Sequence, residues 1–216
     1  MKTPVYFISD IHFYLSDNHV EREKIKKIST LIDEVIEKQG TLFIVGDFFD
    51  FWFEYKAVVP RQFFKILCKL RQLTQAGCAL HYLGGNHDFW LYDFIQKDIG
   101  ARVYYAPVEL KLNNKTFYIA HGDGLDPEDK GYLFLKKILR NKFFIKLFSF
   151  VPPVLAFNIA KFVSGTSRKY DNRSPEVDRK NSEKLRKFAR EKFQAGFDYV
   201  ILGHYHLPEE YHAADK

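Results

Sequence analysis

The sequence predicts an α/β fold, with helices covering a central sheet and one insertion late in the chain. Three observations carry this. Five short apolar runs, VYFIS, TLFIVGD, ALHYLGGN, TFYIAHGD and FDYVILGH, are rich in β-branched and aromatic residues and end in polar or glycine-rich sequence, as buried strands running into loops do. Between the early runs, HVEREKIKKISTLIDEVIEKQG and PRQFFKILCKLRQLTQAG repeat apolar residues every three or four positions and stop at glycine, the mark of amphipathic helices. Late in the chain, SPEVDRKNSEKLRKFAREKFQAG sets Leu185, Phe188, Ala189 and Phe193 on one helical face. The order is therefore strand, helix, strand, helix, strand, followed by VYYAPVELKLNNKTFYIAHG, which reads as two strands joined at the turn-favouring pair Asn113-Asn114. Residues 125 to 175 then interrupt the α/β pattern.

The chain has 216 residues, 46% of them hydrophobic, enough to bury one substantial core, and a single domain over residues 1 to 216 is expected. MKTPVYFISDIHF passes directly into a strand pattern without a charged leader and cleavage site, which argues against export. Cys68 and Cys78, placed in a helix and a strand, are two isolated thiols rather than a disulfide framework. A reducing, cytoplasmic setting follows. The net charge of +6 is unevenly spread: residues 130 to 169 hold nine Lys or Arg and no Asp or Glu. The basic character is thus local and points to an anionic partner for that segment.

Residues able to hold metals recur where the strands end. They are Asp10 and His12 in SDIH, Asp47 and Asp50 in GDFFD, Asn86, His87 and Asp88 in GNHD, His121 and Asp123 in HGD, and His204 and His206 in GHYH. Each alone has a bland reading as a cap or turn residue. Their joint placement at strand ends, where α/β sheets gather ligands, is explained by one dinuclear site. A central carboxylate can bridge two cations that together act on a phosphoryl group. The mixture of imidazole, carboxylate and amide suits Mn, Fe, Co, Ni or Zn, and no cysteine cluster suggests a structural zinc. His19, His81 and His212 sit in no such motif and are expected to be structural or surface residues.

The series SDIH, GDFFD, GNHD, HGD and GHYH resembles the five motifs of the calcineurin-like metallophosphoesterases, over residues 10 to 206. The resemblance implies a central β-sandwich flanked by helices. It also implies one metal held by Asp10, His12, Asp47 and His206 and another by Asp47, Asn86, His121 and His204. Asp47 would bridge the two, with His87 beside the phosphate as a catalytic residue. Manganese is the expected cation.

Within that superfamily, GDFFDFWFEY and HGDGLDPEDKGYLFLKK resemble the UDP-2,3-diacylglucosamine diphosphatases of lipid A biosynthesis, although many of these carry Arg where this chain has His87. The resemblance implies hydrolysis of the pyrophosphate of an acylated UDP-sugar to UMP and 2,3-diacylglucosamine 1-phosphate. It also implies that the insertion at about 125 to 175 is a helical lid over the acyl chains. Asn86, His87, Asp129, Tyr132 and His204 would contact the substrate, as would Ser167, Arg168 and Lys169 where the insertion returns. Other dimetal phosphodiesterases, phosphatases or nucleases share the core, and a non-catalytic membrane scaffold is a further alternative. The insertion's aromatics form apolar blocks instead of alternating with cations along a groove, so no nucleic acid is expected. No obligate protein partner is expected either.

The most apolar stretch, FFIKLFSFVPPVLAFNIAKFV at 143 to 163, is long enough for a bilayer span. It is interrupted by Lys146, Asn158 and Lys161 and broken at Pro152-Pro153. Two short helices facing acyl chains or a membrane surface account for it better, which implies peripheral association with the inner face of the cytoplasmic membrane.

Overall fold

Thr41–Val45 is buried at all five positions, and the reason lies in what covers each of its faces. Leu42 and Ile44 join a cluster with Ile28, Ile32 and Val35 of one helix and Ile66, Leu67, Leu70 and Leu73 of another. Phe43 and Val45, pointing the opposite way, pack with Leu83 and Ile119 and against Phe117 and Ile201 of a second sheet. A strand covered on both faces reads as continuous apolar sequence, whereas one exposed on a face would alternate.

The computed structural model describes residues 1 to 160 and 174 to 213. One sheet holds β1 (Val5–Ile8), β2 (Thr41–Val45), β3 (Ala79–Leu83) and β4 (Arg102–Tyr104), in that order and all parallel. The other holds β5 (Val108–Leu112), β6 (Lys115–Ala120) and β7 (Tyr199–Leu202), with β5 antiparallel and β7 parallel to β6. Helices α1 (His19–Glu37) and α2 (Phe64–Gln75) make the β1-β2 and β2-β3 crossovers. The expected β-sandwich flanked by helices is therefore the fold, with its inner core between Phe43 and Ile119.

Local chemistry sets the boundaries. Asn18 caps α1 by accepting from the Glu21 amide at 2.9 Å, and Ser174 caps the late helix α6 (Pro175–Gln194), which opens with Pro175, Glu176 and Asp178. The β5-β6 turn puts Asn113 and Asn114 at φ 48° and 62°, the two left-handed positions a two-residue hairpin demands. The hairpin is shorter than the sequence reading has it, because Arg102–Tyr104 pairs with β3 in the first sheet and Pro107 separates it from β5. Cys78 lies one residue outside β3, and both cysteines are free.

The described part of the insertion forms α3 (Lys130–Leu139), α4 (Lys142–Phe148) and α5 (Pro153–Ala160). The last two are bent by 114° at the break that contains Pro152. Among the described residues no single helix is long and apolar enough to cross a membrane.

His81 is a core residue, as expected. It stacks between Phe43 at 4.3 Å and Tyr104 at 5.8 Å, and its Nδ1 lies 2.8 Å from the Tyr104 hydroxyl. Burial, then the charge of Arg102, pushes its pKa from 6.5 down to about 4. The folded state thus favours the neutral imidazole. Its contribution to stability is present above pH 6.5 and is lost as pH falls toward 4, because the unfolded chain takes up the proton first. His81→Phe is expected to flatten that part of the pH dependence; urea midpoints of both proteins at pH 7 and pH 5 test it, and an equal drop in each would refute it.

Candidate metal centre

Each strand of the expected set delivers its polar residues to the same end of the sandwich. Asp10 and His12 follow β1, Asp47 follows β2, Asn86 follows β3, His121 follows β6, and His204 and His206 follow β7. The backbone there is unusual. Asp10, His12, Asp47, His204 and His206 all have positive φ, between 49° and 74°, a conformation non-glycine residues seldom adopt. Such conformations concentrate at functional sites, where surrounding contacts hold them. Gly85 is required beside them, since a Cβ there would lie 2.1 Å from Asp47 Oδ1.

The donor atoms converge. Asp10, His12 and His206 form one group, His12, Asp47 and His87 a second, and Asp47, His121 and His204 a third, each with one ligand atom per residue within 4.8 Å of the others. His12 Nε2 is 3.2 Å from His206 Nε2 and 3.7 Å from Asp47 Oδ2. His121 Nε2 is 3.1 Å from Asn86 Oδ1 and 3.3 Å from Asp47 Oδ2. Atoms bound to one cation at about 2.1 Å sit roughly 3 Å apart, so these spacings suit shared coordination. Asp47 is common to two groups, and His121 Nδ1 lies 2.9 Å from the Val45 carbonyl. Donation to that carbonyl turns Nε2 toward the cluster, as in metal-bound histidines generally. The donor set fits two divalent cations.

The charged groups of the cluster shift one another. Burial works to raise the Asp47 carboxyl, but His121, His87 and His12 hold it below the usual range. Burial works to lower His121, but Asp47 overrides it and raises the imidazole to about 9. His204 is pushed down to about 4 by burial and then by the charge on His121.

Asp88, grouped in the sequence with the metal-competent residues, has another task. Fully buried, it accepts from the amides of Asp47 at 3.1 Å, Phe48 at 2.8 Å and Gly85 at 2.8 Å, and from the Tyr82 hydroxyl at 2.5 Å. Those bonds shape the Asp47 loop. Asp88→Asn would turn an NH2 group onto donors, so a loss of about 2 to 5 kcal/mol in stability is expected, measured by urea unfolding; a loss under 0.5 kcal/mol would refute this role.

His87 sits at the mouth. Its amide donates to Asp47 Oδ1 at 2.9 Å, and its Nδ1 is 2.7 Å from the Asp50 carbonyl. From here a cavity of about 430 Å³ runs under the insertion, lined by Asn86, His87, Tyr132 and Arg140 and by the apolar Phe51, Trp90, Leu139, Phe148 and Ile159 among others. An open apolar groove of about 260 Å³ adjoins it through Trp90, Leu139 and Phe148, and is otherwise lined by Ile138, Phe144, Leu147 and Val151.

The insertion is fastened to the core by Asp123, whose carboxylate meets Lys136 at 2.7 Å and Arg140 at 2.8 Å. The Trp90 indole donates to the Leu139 carbonyl at 2.8 Å and the Tyr55 hydroxyl to that of Val151 at 2.9 Å. Of the two residues expected to contact substrate here, Tyr132 lines the cavity, and the Asp129 carboxylate caps α3 by accepting from the Tyr132 amide at 2.9 Å. Ser167, Arg168 and Lys169 lie outside the described residues. Lys136, Arg140, Trp90 and Phe148 were not singled out by sequence. The four-residue spacing of Tyr132, Lys136 and Arg140 after HGD is the signal that could have marked the first two.

A sandwich of one parallel and one mixed sheet, with aspartates, histidines and an asparagine gathered at one end, is the architecture of a phosphoesterase. Residues 3 to 208 match the calcineurin-like phosphoesterase family model, and the chain belongs to that family of hydrolases, whose fold carries divalent metal ions. Among curated proteins it is similar to the UDP-2,3-diacylglucosamine hydrolase of Porphyromonas gingivalis, with 30% identity over 96% of this chain and 84% of that one. It is also similar to the protein of that name from Pseudomonas putida, with 26% identity over 90% and 81% of the two chains.

Proposed function

We propose that this chain hydrolyses the pyrophosphate of UDP-2,3-diacylglucosamine, releasing UMP and 2,3-diacylglucosamine 1-phosphate. The observation that carries the reading is the apolar cavity that begins at Asn86 and His87 and continues beneath the insertion. A phosphoester head held at the metal loops would thereby place an attached hydrocarbon chain among Phe51, Trp90, Phe148 and Ile159. The names of the two relatives agree with such a substrate.

In this reading Asp10, His12, Asp47 and His206 hold one cation and Asp47, Asn86, His121 and His204 hold the other; the mixed N and O ligands suit Mn, Fe, Co, Ni or Zn, and manganese is the cation used in the test. When bound, the two cations supply Lewis acidity to phosphoryl oxygens and make water nucleophilic at neutral pH. His87, its Nδ1 2.7 Å from the Asp50 carbonyl, lines the cavity and is the general acid of this reading, supplying a proton to the departing phosphate oxygen. The water oxygen adds to one phosphorus as the anhydride bond to the other phosphate breaks.

Exposed Phe134, Phe143, Phe150 and Val154, interspersed with exposed Lys137, Lys142 and Lys146, support peripheral binding to the inner, anionic face of the cytoplasmic membrane, where a diacylated substrate is found. Incubation with Mn²⁺ and UDP-2,3-diacylglucosamine is expected to release UMP. Turnover of a simple phosphodiester with no UMP would overturn the substrate and leave the family intact.

A further inference from the structure

Tyr132, Lys136 and Arg140, one helical turn apart along α3, all reach a single atom, Asp123 Oδ2, at 3.1, 2.7 and 2.8 Å. Lys136 Nζ also meets the Asp123 carbonyl at 2.7 Å. Asp123 is 9% exposed and stands two residues past His121. Docking a helix onto a buried carboxylate takes one cation; this junction has two, so it keeps a surplus positive charge. Both cations also stand on the wall of the 430 Å³ cavity with Asn86 and His87. The acidic member of that wall, Asp50, faces His12 Nδ1 at 3.6 Å. Arg140 lies over the Phe89 ring at 4.2 Å, which fixes its guanidinium and shields one face from water. Surplus charge on a largely apolar wall, next to the phosphoryl-transfer loops, calls for an anion.

We propose that Lys136 and Arg140 form the seat of the second phosphate of a diphosphate diester, the one not attacked, with Asp123 as the positioning residue that holds both cations at the wall. This rests on the diphosphate reading above. Arg140 can present its remaining N–H groups, and Lys136 its third N–H, to phosphate oxygens while both stay on Asp123.

The test compares the full-length protein with Lys136→Met, Arg140→Met and Asp123→Asn. Turnover is measured with Mn²⁺ on UDP-2,3-diacylglucosamine and on bis(p-nitrophenyl) phosphate, and inorganic pyrophosphate is titrated into metal-free protein while tryptophan fluorescence is followed. Each cation variant is expected to weaken pyrophosphate binding about tenfold or more. Each is also expected to raise KM for the diphosphate at least tenfold more than for the diester. Asp123→Asn keeps both cations and one acceptor oxygen to hold them while removing the opposing charge, so it is expected to weaken pyrophosphate binding less than about threefold, well short of either cation variant. Equal loss in all three variants would reduce the junction to a docking strut, and no loss in any would remove the seat. A parent protein that cleaves the diester and no diphosphate would instead sink the diphosphate reading, while the pyrophosphate titration still decides the seat.

Discussion

Asp47→Asn is expected to lower phosphoester turnover by about 10³-fold, roughly 4 kcal/mol of transition-state stabilisation, and to leave the chain folded. Asp47 is 2% exposed and belongs to two of the three ligand groups. Its Oδ1 accepts from the His87 amide and its Oδ2 faces both His121 and His12. An amide in its place retains the volume and a bond from His87. It cannot supply two anionic oxygens, so the charge that offsets two cations falls by one where the cations would be closest. Asn is a better probe than Ala because the residue sits at φ 53°, where Asn is tolerated and Ala costs about 1 kcal/mol. Bound metal per chain should fall from two toward one, and excess Mn²⁺ should restore little activity. Two tightly held ions with turnover within tenfold of the parent would remove Asp47 from the bridging position.

The parts of the fold that were legible are those where burial writes a period into the sequence. β2 is apolar throughout because α1, α2 and the second sheet cover it, and the Asn113-Asn114 turn is visible because its left-handed geometry selects asparagine. β4 was not separable from the hairpin, since three residues are too few to show a period. The candidate ligands were legible because every one follows a strand, although nothing in the sequence indicates that Asp10, His12, Asp47, His204 and His206 take left-handed backbone. Glycine normally marks such positions, and here the candidate ligands themselves occupy them. Asp88 and Asp123 were recognised as chemically competent but not for what they do. Asp88 folds the Asp47 loop through backbone amides 39 to 41 residues away, and Asp123 faces a helix whose docking no local pattern specifies. Both are carboxylates whose partners are fixed only by tertiary structure.

Leu147→Asp and Phe143→Asp should separate the groove from the outer surface of the insertion. Leu147, 56% exposed, lines the open 260 Å³ groove, whereas Phe143, 70% exposed, lines neither it nor the larger cavity. A leucine side chain in contact with hydrocarbon contributes about 1.5 to 3 kcal/mol, and a carboxylate in its place must also be desolvated. Leu147→Asp is therefore expected to lower kcat/KM for the diacylated substrate by about 10- to 100-fold, even when that substrate is dispersed in detergent. Hydrolysis of bis(p-nitrophenyl) phosphate, which has no chain to place there, should change less than threefold. Phe143→Asp should leave detergent-dispersed turnover close to the parent and weaken binding to anionic phospholipid vesicles, because it removes apolar area from the surface and adds a like charge. Vesicle co-sedimentation and the two assays give three measurements for each variant. If Leu147→Asp loses the lipid substrate and the small ester equally, the groove supports the metal loops instead of holding a chain. If Phe143→Asp alone loses the dispersed substrate, the chain lies along the outer face of α4, and the cavity beneath it belongs to another part of the substrate.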